Sequence, residues 1–191
     1  MTMDTREKIL RISAKLFIRQ GYTATSVSRI AKETGIGKAT VYHHFPDKQA
    51  IVQALLERSA SRVGEALAEV KDEDDPRQRI EAVAVASLRL RAESFDLFQV
   101  IRREVPGTRE KLHAQLGTVL ILYAQVVTSA IRDGVERGIF RPVDPEDATR
   151  TLLCMITGLY VQVYLQAGAF PEPEKALRSM LDIFFTGIDA R

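Results

Sequence analysis

The chain has 191 residues, 46% of them apolar and 27% charged. That supports one large folded domain or a small domain joined to a medium one, and excludes disorder throughout. Its 27 Lys and Arg against 25 Asp and Glu leave a net charge of +2, which excludes a histone-like basic protein and an acidic tail protein.

The charge is unevenly placed. Residues 1–50 hold nine basic and four acidic side chains, a balance of +5, and the remainder carries −3, so affinity for a polyanion belongs at the N-terminal end. A single cysteine, Cys154, has no partner for an internal disulfide, and no Cys/His cluster has zinc spacing. A reducing, cytoplasmic compartment and no metal site are therefore expected. Charges at Asp4, Arg6, Glu7 and Lys8 stand where an export signal needs an apolar run. The 21 uncharged residues between Arg150 and Glu172 match a bilayer span in length. Gln162, Gln166, Gly168 and Pro171 lower its hydrophobicity, so a buried helix is the better reading and no membrane partner is expected.

All seven prolines fall where helical periodicity stops, and no useful strand alternation lies between them, so the chain reads as all-α. The first helix starts at Asp4, with Glu7 completing a capping box, carries the stripe Ile9, Ile12, Ser13, Leu16 and Phe17, and stops at Gly21. A short second helix follows Thr25, with Val27, Ile30 and Ala31 on its inner face, and breaks at Gly35. A third helix of barely two turns runs from Gly37 to Phe45, with Val41 and Phe45 inward. The fourth, about 47–70, carries Ile51, Val52 and Leu55. The acidic stretch Lys71 to Asp75 is the expected boundary between a domain over 1–50, linked by the fourth helix, and a larger one over 71–191. Asp75-Pro76 and Asp144-Pro145 each read as a cap followed by proline at the first helical position. Helices are expected over 76–92, 94–105, 108–137, 145–168 and 173–189, about nine in all.

Two short helices separated by a glycine turn make the helix-turn-helix pattern, whose second helix enters the DNA major groove. With Val41 and Phe45 inward, its solvent side presents Lys38, Ala39, Tyr42 and His43, flanked by Thr40 and His44. Lys38 suits guanine O6 or N7, and Ala39 or the Thr40 methyl suits a thymine methyl. Tyr42 and the imidazoles can donate to phosphates. Lys48 sits where a helix start and its own charge favour an anion, and Thr25 and Ser26 offer the same anchor at the second helix.

These residues carry a family resemblance. The run Gly21 to Val27, then Ile30-Ala31, then Gly35-Ile36-Gly37-Lys38-Ala39-Thr40-Val41-Tyr42-His43-His44-Phe45-Pro46-Asp47-Lys48 resembles the DNA-binding domain of the TetR family of transcriptional repressors, over about residues 5–52. The resemblance implies phosphate contacts from Thr25, Tyr42, His44 and Lys48, and base contacts from Lys38, Ala39, Thr40 and His43. It further implies a two-domain, all-helical homodimer on a palindromic operator, with a C-terminal domain whose small-molecule effector lowers DNA affinity. The family often has Ser or Ala where Gly37 stands, a departure costing up to ~1 kcal/mol if that residue lies inside the helix. A rival reading of Gly35 to Thr40 as a nucleotide-phosphate loop lacks glycine at Lys32 and a hydroxyl at Ala39, and no strand precedes it.

In the larger domain, the last helix has two apolar faces: Leu177, Leu181, Phe184 and Ile188, and beside it Ala176, Met180, Ile183 and Gly187. The helix before it shows the same surplus, including Leu159 and Val163. Leu159, Val163, Met180, Ile183, Phe184 and Gly187 are therefore the expected dimer interface. Arg91, Phe95, Phe98, Arg102, His113, Tyr123 and Tyr160 are the candidates for an apolar effector cavity edged by arginine, which suits an amphipathic anion such as a fatty acyl thioester. No nucleophile elbow, metal set or glycine-rich phosphate cradle is present, so no enzyme and no required cofactor are expected. The expected function is a ligand-responsive regulator of transcription. A sequence-tolerant architectural protein and an enzyme using the C-terminal cavity are the rivals.

Overall fold

Side-chain caps set the helix starts. In the computed structural model, which describes residues 4–165 and 172–190 apart from the side chains at 91–93, 109, 163–165 and 173, Asp4 accepts the Arg6 backbone N–H at 3.3 Å and opens α1 (Thr5–Gln20). Glu7 does not close the expected capping box: its carboxylate meets Arg58 at 3.1 Å instead. Ser26 caps α2 (Val27–Thr34) by accepting the Arg29 N–H at 3.1 Å. Gly35 ends α2 at φ +69°, a left-handed conformation that costs glycine nothing sterically. Gly37 is the extended residue before α3 (Lys38–His44), outside the helix, so its anticipated cost to helix stability does not arise.

Asp47 accepts the Ala50 N–H at 2.7 Å at the start of α4 (Lys48–Val70). Asp75 and Asp144 cap as expected, accepting the Arg77 and Asp147 N–H groups at 2.8 Å each, ahead of α5 (Pro76–Glu104) and α7 (Pro145–Leu165). Between them runs α6 (Arg109–Glu136), and α8 (Pro173–Ile188) follows. The all-α expectation holds: among the described residues there are eight helices, one isolated bridge between Phe140 and Asp189, and no strand.

One element differs. The helices expected over 76–92 and 94–105 are the single helix α5. Ala92 and Glu93 stand at the expected break; both are good helix formers, and neither proline nor glycine interrupts the backbone there.

The chain packs as two compact units, and neither is one continuous stretch. The first comprises Met1–Arg62 and Ala92–Thr118. Its core gathers Ile9, Leu10, Leu16 and Phe17 of α1, Ile30 of α2, Val41 of α3 and Ile51, Val52 and Leu55 of α4, with Ile101 and Leu112 from later in the chain. The second comprises Val63–Arg91 and Val119–Arg191, with Ile80, Val83 and Ala84 of α5, Tyr123, Val127 and Ile131 of α6, Leu152 and Ile156 of α7, and Leu177, Leu181, Phe184 and Phe185 of α8 at its centre. The boundary expected at Lys71 to Asp75 therefore does not separate the packed units: α4, α5 and α6 each carry core residues of one unit at one end and of the other at the other end.

In the second unit Phe140 is fully buried and stacks on Phe185, ring centroids 6.1 Å apart at 14°. The Arg141 N–H donates to Ile188 O and the Ala190 N–H to Ile139 O at 3.2 Å, and Arg77 pairs with Asp189 while lying over the Phe185 ring at 4.4 Å. By length and composition α6 could cross a membrane from Glu110 to Glu136, a segment other than the one weighed from the sequence. It instead supplies Tyr123, Val127, Ala130 and Ile131 to a core.

Candidate nucleic-acid interface

The second helix of the motif divides cleanly into two sides. Val41 and the following Phe45 are buried, whereas Lys38, Ala39, Thr40, Tyr42 and His43 are exposed. The Lys38 ammonium lies 5.7 Å from the Tyr42 ring centroid, and among the described residues no carboxylate pairs with it. His44 is half-buried, edge-on to His43 with centroids 5.4 Å apart and tilted against Phe45 at 6.5 Å. One short helix thus offers a cation, two imidazoles, a phenol and two methyl-bearing side chains, chemistry suited to base edges and phosphates.

The anchors expected around this helix are placed differently. Thr25 is buried: its hydroxyl donates to Gly21 O at 2.7 Å and accepts from Gln20 Nε2 at 3.1 Å, and its N–H donates to Tyr22 O at 3.2 Å. Both of its donors are committed, so the phosphate contact expected of Thr25 has no group to make it. Ser26 remains exposed, the α2 cap uses its oxygen as an acceptor, and among the described residues no acceptor is recorded for its hydroxyl proton. Lys48 turns inward: its Nζ donates to Tyr22 O at 2.6 Å and to Thr25 O at 2.8 Å, and lies 4.0 Å from the Tyr22 ring centroid. Burial lowers its pKa, with the nearby Glu104 charge opposing. Lys48 is thus a fastener between the start of α4 and the link from α1 to α2, with one N–H left for a phosphate.

Glu104, at the end of α5, is a participant that the sequence reading missed. Its Oε2 accepts the Thr23 N–H at 3.1 Å, and Arg103 donates to its Oε1 at 3.0 Å. These hydrogen bonds, the Thr23 one foremost, hold the Glu104 carboxyl below the usual carboxylate range. Gly21 makes the approach possible: at φ +88° it sits where side chains are rarely tolerated, and a Cβ there would stand 2.8 Å from Glu104 Oε2. The available signal was electrostatic, because an acid at the last position of a helix opposes the helix dipole and calls for a compensating partner.

The folded pKa lies below the unfolded one, so the contribution of Glu104 is complete above about pH 4.5 and is lost as pH falls through the folded value. Chemical denaturation from about pH 6 to about pH 3 should show the wild type losing stability faster than Glu104→Gln, whose amide oxygen accepts the same N–H without titrating. Parallel profiles would remove Glu104 from the latch.

The effector candidates are divided between the two units. Phe95 and Phe98 are half-buried and Arg102 and His113 exposed in the first unit; Tyr123 is buried and Tyr160 half-buried in the second; the side chain of Arg91 lies outside the described residues. Arg102 donates to Gln99 Oε1 at 3.0 Å, three residues away on its own helix. An open groove of about 480 Å³ on the second unit, lined by Val143, Met155, Ile183 and Phe184 among others, includes none of these candidates.

The expected interface residues also divide. Leu159 and Phe184 are buried in their own unit's core, a correction explained by helical phase: Phe184 shares the inward face of α8 with Leu177, Leu181 and Ile188. Met180 is half-buried, Gly187 exposed and Ile183 65% exposed, and the side chain of Val163 lies outside the described residues.

Comparison with known proteins accords with this architecture. The model of bacterial regulatory proteins of the tetR family matches residues 9–55, and that of tetracyclin repressor-like C-terminal domains matches residues 73–186. The HTH-type transcriptional regulator AcrR of Shigella flexneri is 39% identical over 62 residues, covering 32% of this chain and 29% of that protein. The HTH-type transcriptional regulator YvkB of Bacillus subtilis is 23% identical over 188 residues, covering 97% and 98%. A crystal structure of a transcriptional regulator from Saccharomonospora viridis in complex with choline is 26% identical, covers 97% of this chain and 98% of its own, and superposes with a TM-score of 0.77. With both parts of the chain matched, the second over more than half its length, the protein belongs to the TetR family of bacterial transcriptional regulators.

Proposed function

We propose that this regulator is a repressor that binds a palindromic operator as a homodimer in the cytoplasm and is released by a small, largely apolar effector. The observation that carries the reading is the solvent side of α3, where Lys38, Ala39, Thr40, Tyr42 and His43 stand exposed while Val41 and Phe45 hold the helix to its core. In this reading Lys38, Ala39, Thr40 and His43 meet base edges. Tyr42, His44, Ser26 and the remaining N–H of Lys48 meet phosphates. Two copies of α3 sit about 34 to 36 Å apart on DNA, one helical turn between half-sites.

The outer face of α8 supports the dimer. Ile183, Gly187 and the half-buried Met180 leave an apolar strip that its own core does not cover, and pairing with a second copy would cover it. Ile183→Glu is the cleaner probe, because Met180 also packs on the core. Sedimentation should show the variant as a folded monomer where the wild type is a dimer; an intact dimer would relocate the interface.

Release requires that the effector bind better to a state with the wrong spacing of recognition helices, since equal affinity for both states shifts nothing. The effector candidates are a fatty acyl thioester, on the arginines of the sequence reading, and a small organic cation, on the solved relative that holds choline. The reading is tested by selecting genomic fragments with the purified protein at physiological salt, where non-specific binding is weakened by counterion competition. One enriched palindrome is the expected result, and its affinity with and without each candidate then tests release. Retention of fragments with no shared sequence would make the protein an architectural one.

A further inference from the structure

The first turn of α1 carries a cation outside the motif. Arg6 is exposed, and its guanidinium carbon lies 5.3 Å from the centroid of the Phe45 ring. Phe45 is the residue directly after α3, and it is buried in the first unit's core. The ring therefore holds a long and otherwise mobile side chain beside the C-terminal end of α3. The carboxylates nearest in sequence are occupied elsewhere: Asp4 accepts the Arg6 backbone N–H at 3.3 Å, and Glu7 pairs with Arg58 at 3.1 Å. Among the described residues no ion pair neutralises the Arg6 guanidinium.

The place of that charge relative to DNA follows from the geometry of docking. A recognition helix reads base edges with its N-terminal residues. Seven residues make α3 about 10 Å long, against a major groove about 12 Å wide. Groups at its C-terminal end therefore come up to the wall of the groove, which is phosphate. We propose that Arg6 is a DNA-contacting residue, held by Phe45 so that its N–H edge donates to a backbone phosphate beside the C-terminal end of α3. Arginine suits the position because a planar guanidinium can rest one face against an aromatic ring while its edges still present donors to phosphate oxygens. The contact carries no sequence information and sets the register of α3 on the duplex. The proposal rests on the reading of α3 as the DNA-reading helix.

The test is the salt dependence of binding, measured on the selected palindromic duplex and on a scrambled duplex of the same length. One neutralised phosphate contributes about 0.9 to the slope of log affinity against log salt, so from about 50 to about 200 mM salt one contact accounts for a loss of about 3.5-fold. Arg6→Ala should lower the slope by about 0.9 on both duplexes and weaken both by a similar factor, whereas Arg6→Lys should keep the wild-type slope. A purely structural Arg6 would change the melting temperature and leave the slope alone. An Arg6→Ala slope equal to that of the wild type overturns the proposal whatever the melting temperature does. A wild-type protein without affinity for either duplex overturns the DNA-binding reading itself, and the Arg6 proposal with it.

Discussion

Gly134→Ala is expected to destabilise the second unit by about 1 to 3 kcal/mol, although alanine favours a helix over glycine by about 1 kcal/mol. Gly134 lies in α6 against the Phe140 ring, and a Cβ there would stand 2.2 Å from Phe140 Cδ2 and 2.4 Å from Cε2. The ring has nowhere to go. It is fully buried and stacked on Phe185, and its own N–H donates to Gly134 O at 3.0 Å. Phe140→Ala alone should cost about 3 to 5 kcal/mol through lost burial and a cavity. In that background the clash is gone, so Gly134→Ala should become neutral or stabilising, and the double-mutant cycle should show strong coupling. Denaturation midpoints of the four proteins decide it: the same penalty for Gly134→Ala in both backgrounds would mean that the close approach to Phe140 does not constrain this glycine.

Lys38→Ala is expected to weaken operator binding by about 1 to 3 kcal/mol, which is between about 5- and 140-fold, and to relax preference at one operator position. Lys38 opens α3, where a recognition helix meets base edges, and among the described residues no carboxylate pairs with it. Its ammonium over the Tyr42 ring is directed without being neutralised. Affinities measured across operators that differ at single positions separate the roles. A loss confined to one base pair makes Lys38 a reader, and an equal loss on every sequence makes it a phosphate contact.

What the sequence revealed about this molecule was what is decided locally. Asp4, Asp75 and Asp144 open helices because a carboxylate beside three free N–H groups acts over a few residues. Gly35 ends α2 because its left-handed φ favours glycine over other residues. The inward face of α8 follows from its 3.6-residue period, and that period already puts Phe184, an expected interface residue, on the buried face with Leu177, Leu181 and Ile188. The long-range contacts were beyond reach. Thr25 and Lys48 are polar residues near a polyanion-binding motif, and nothing in their neighbours shows that their donors are spent on Gly21, Tyr22 and the Thr25 carbonyl. Glu104 meets Thr23 across 81 positions, a pairing that only tertiary packing creates. An effector cavity is likewise a property of several helices, and the chemistry of residues along one helix does not define it.

The interleaving of the two units gives them different schedules during synthesis. Everything in the first unit lies before position 119, whereas the second needs Asp189, which bonds to Arg77 across 112 positions. At about 5 to 20 residues per second the intervening 71 positions take roughly 4 to 14 s, and helical domains fold within microseconds to milliseconds. The unit that carries α3 therefore has seconds to fold on the ribosome before α8 is complete. In the proposed dimer, whose apolar strip lies on α8, pairing would therefore follow folding of the unit that carries α3.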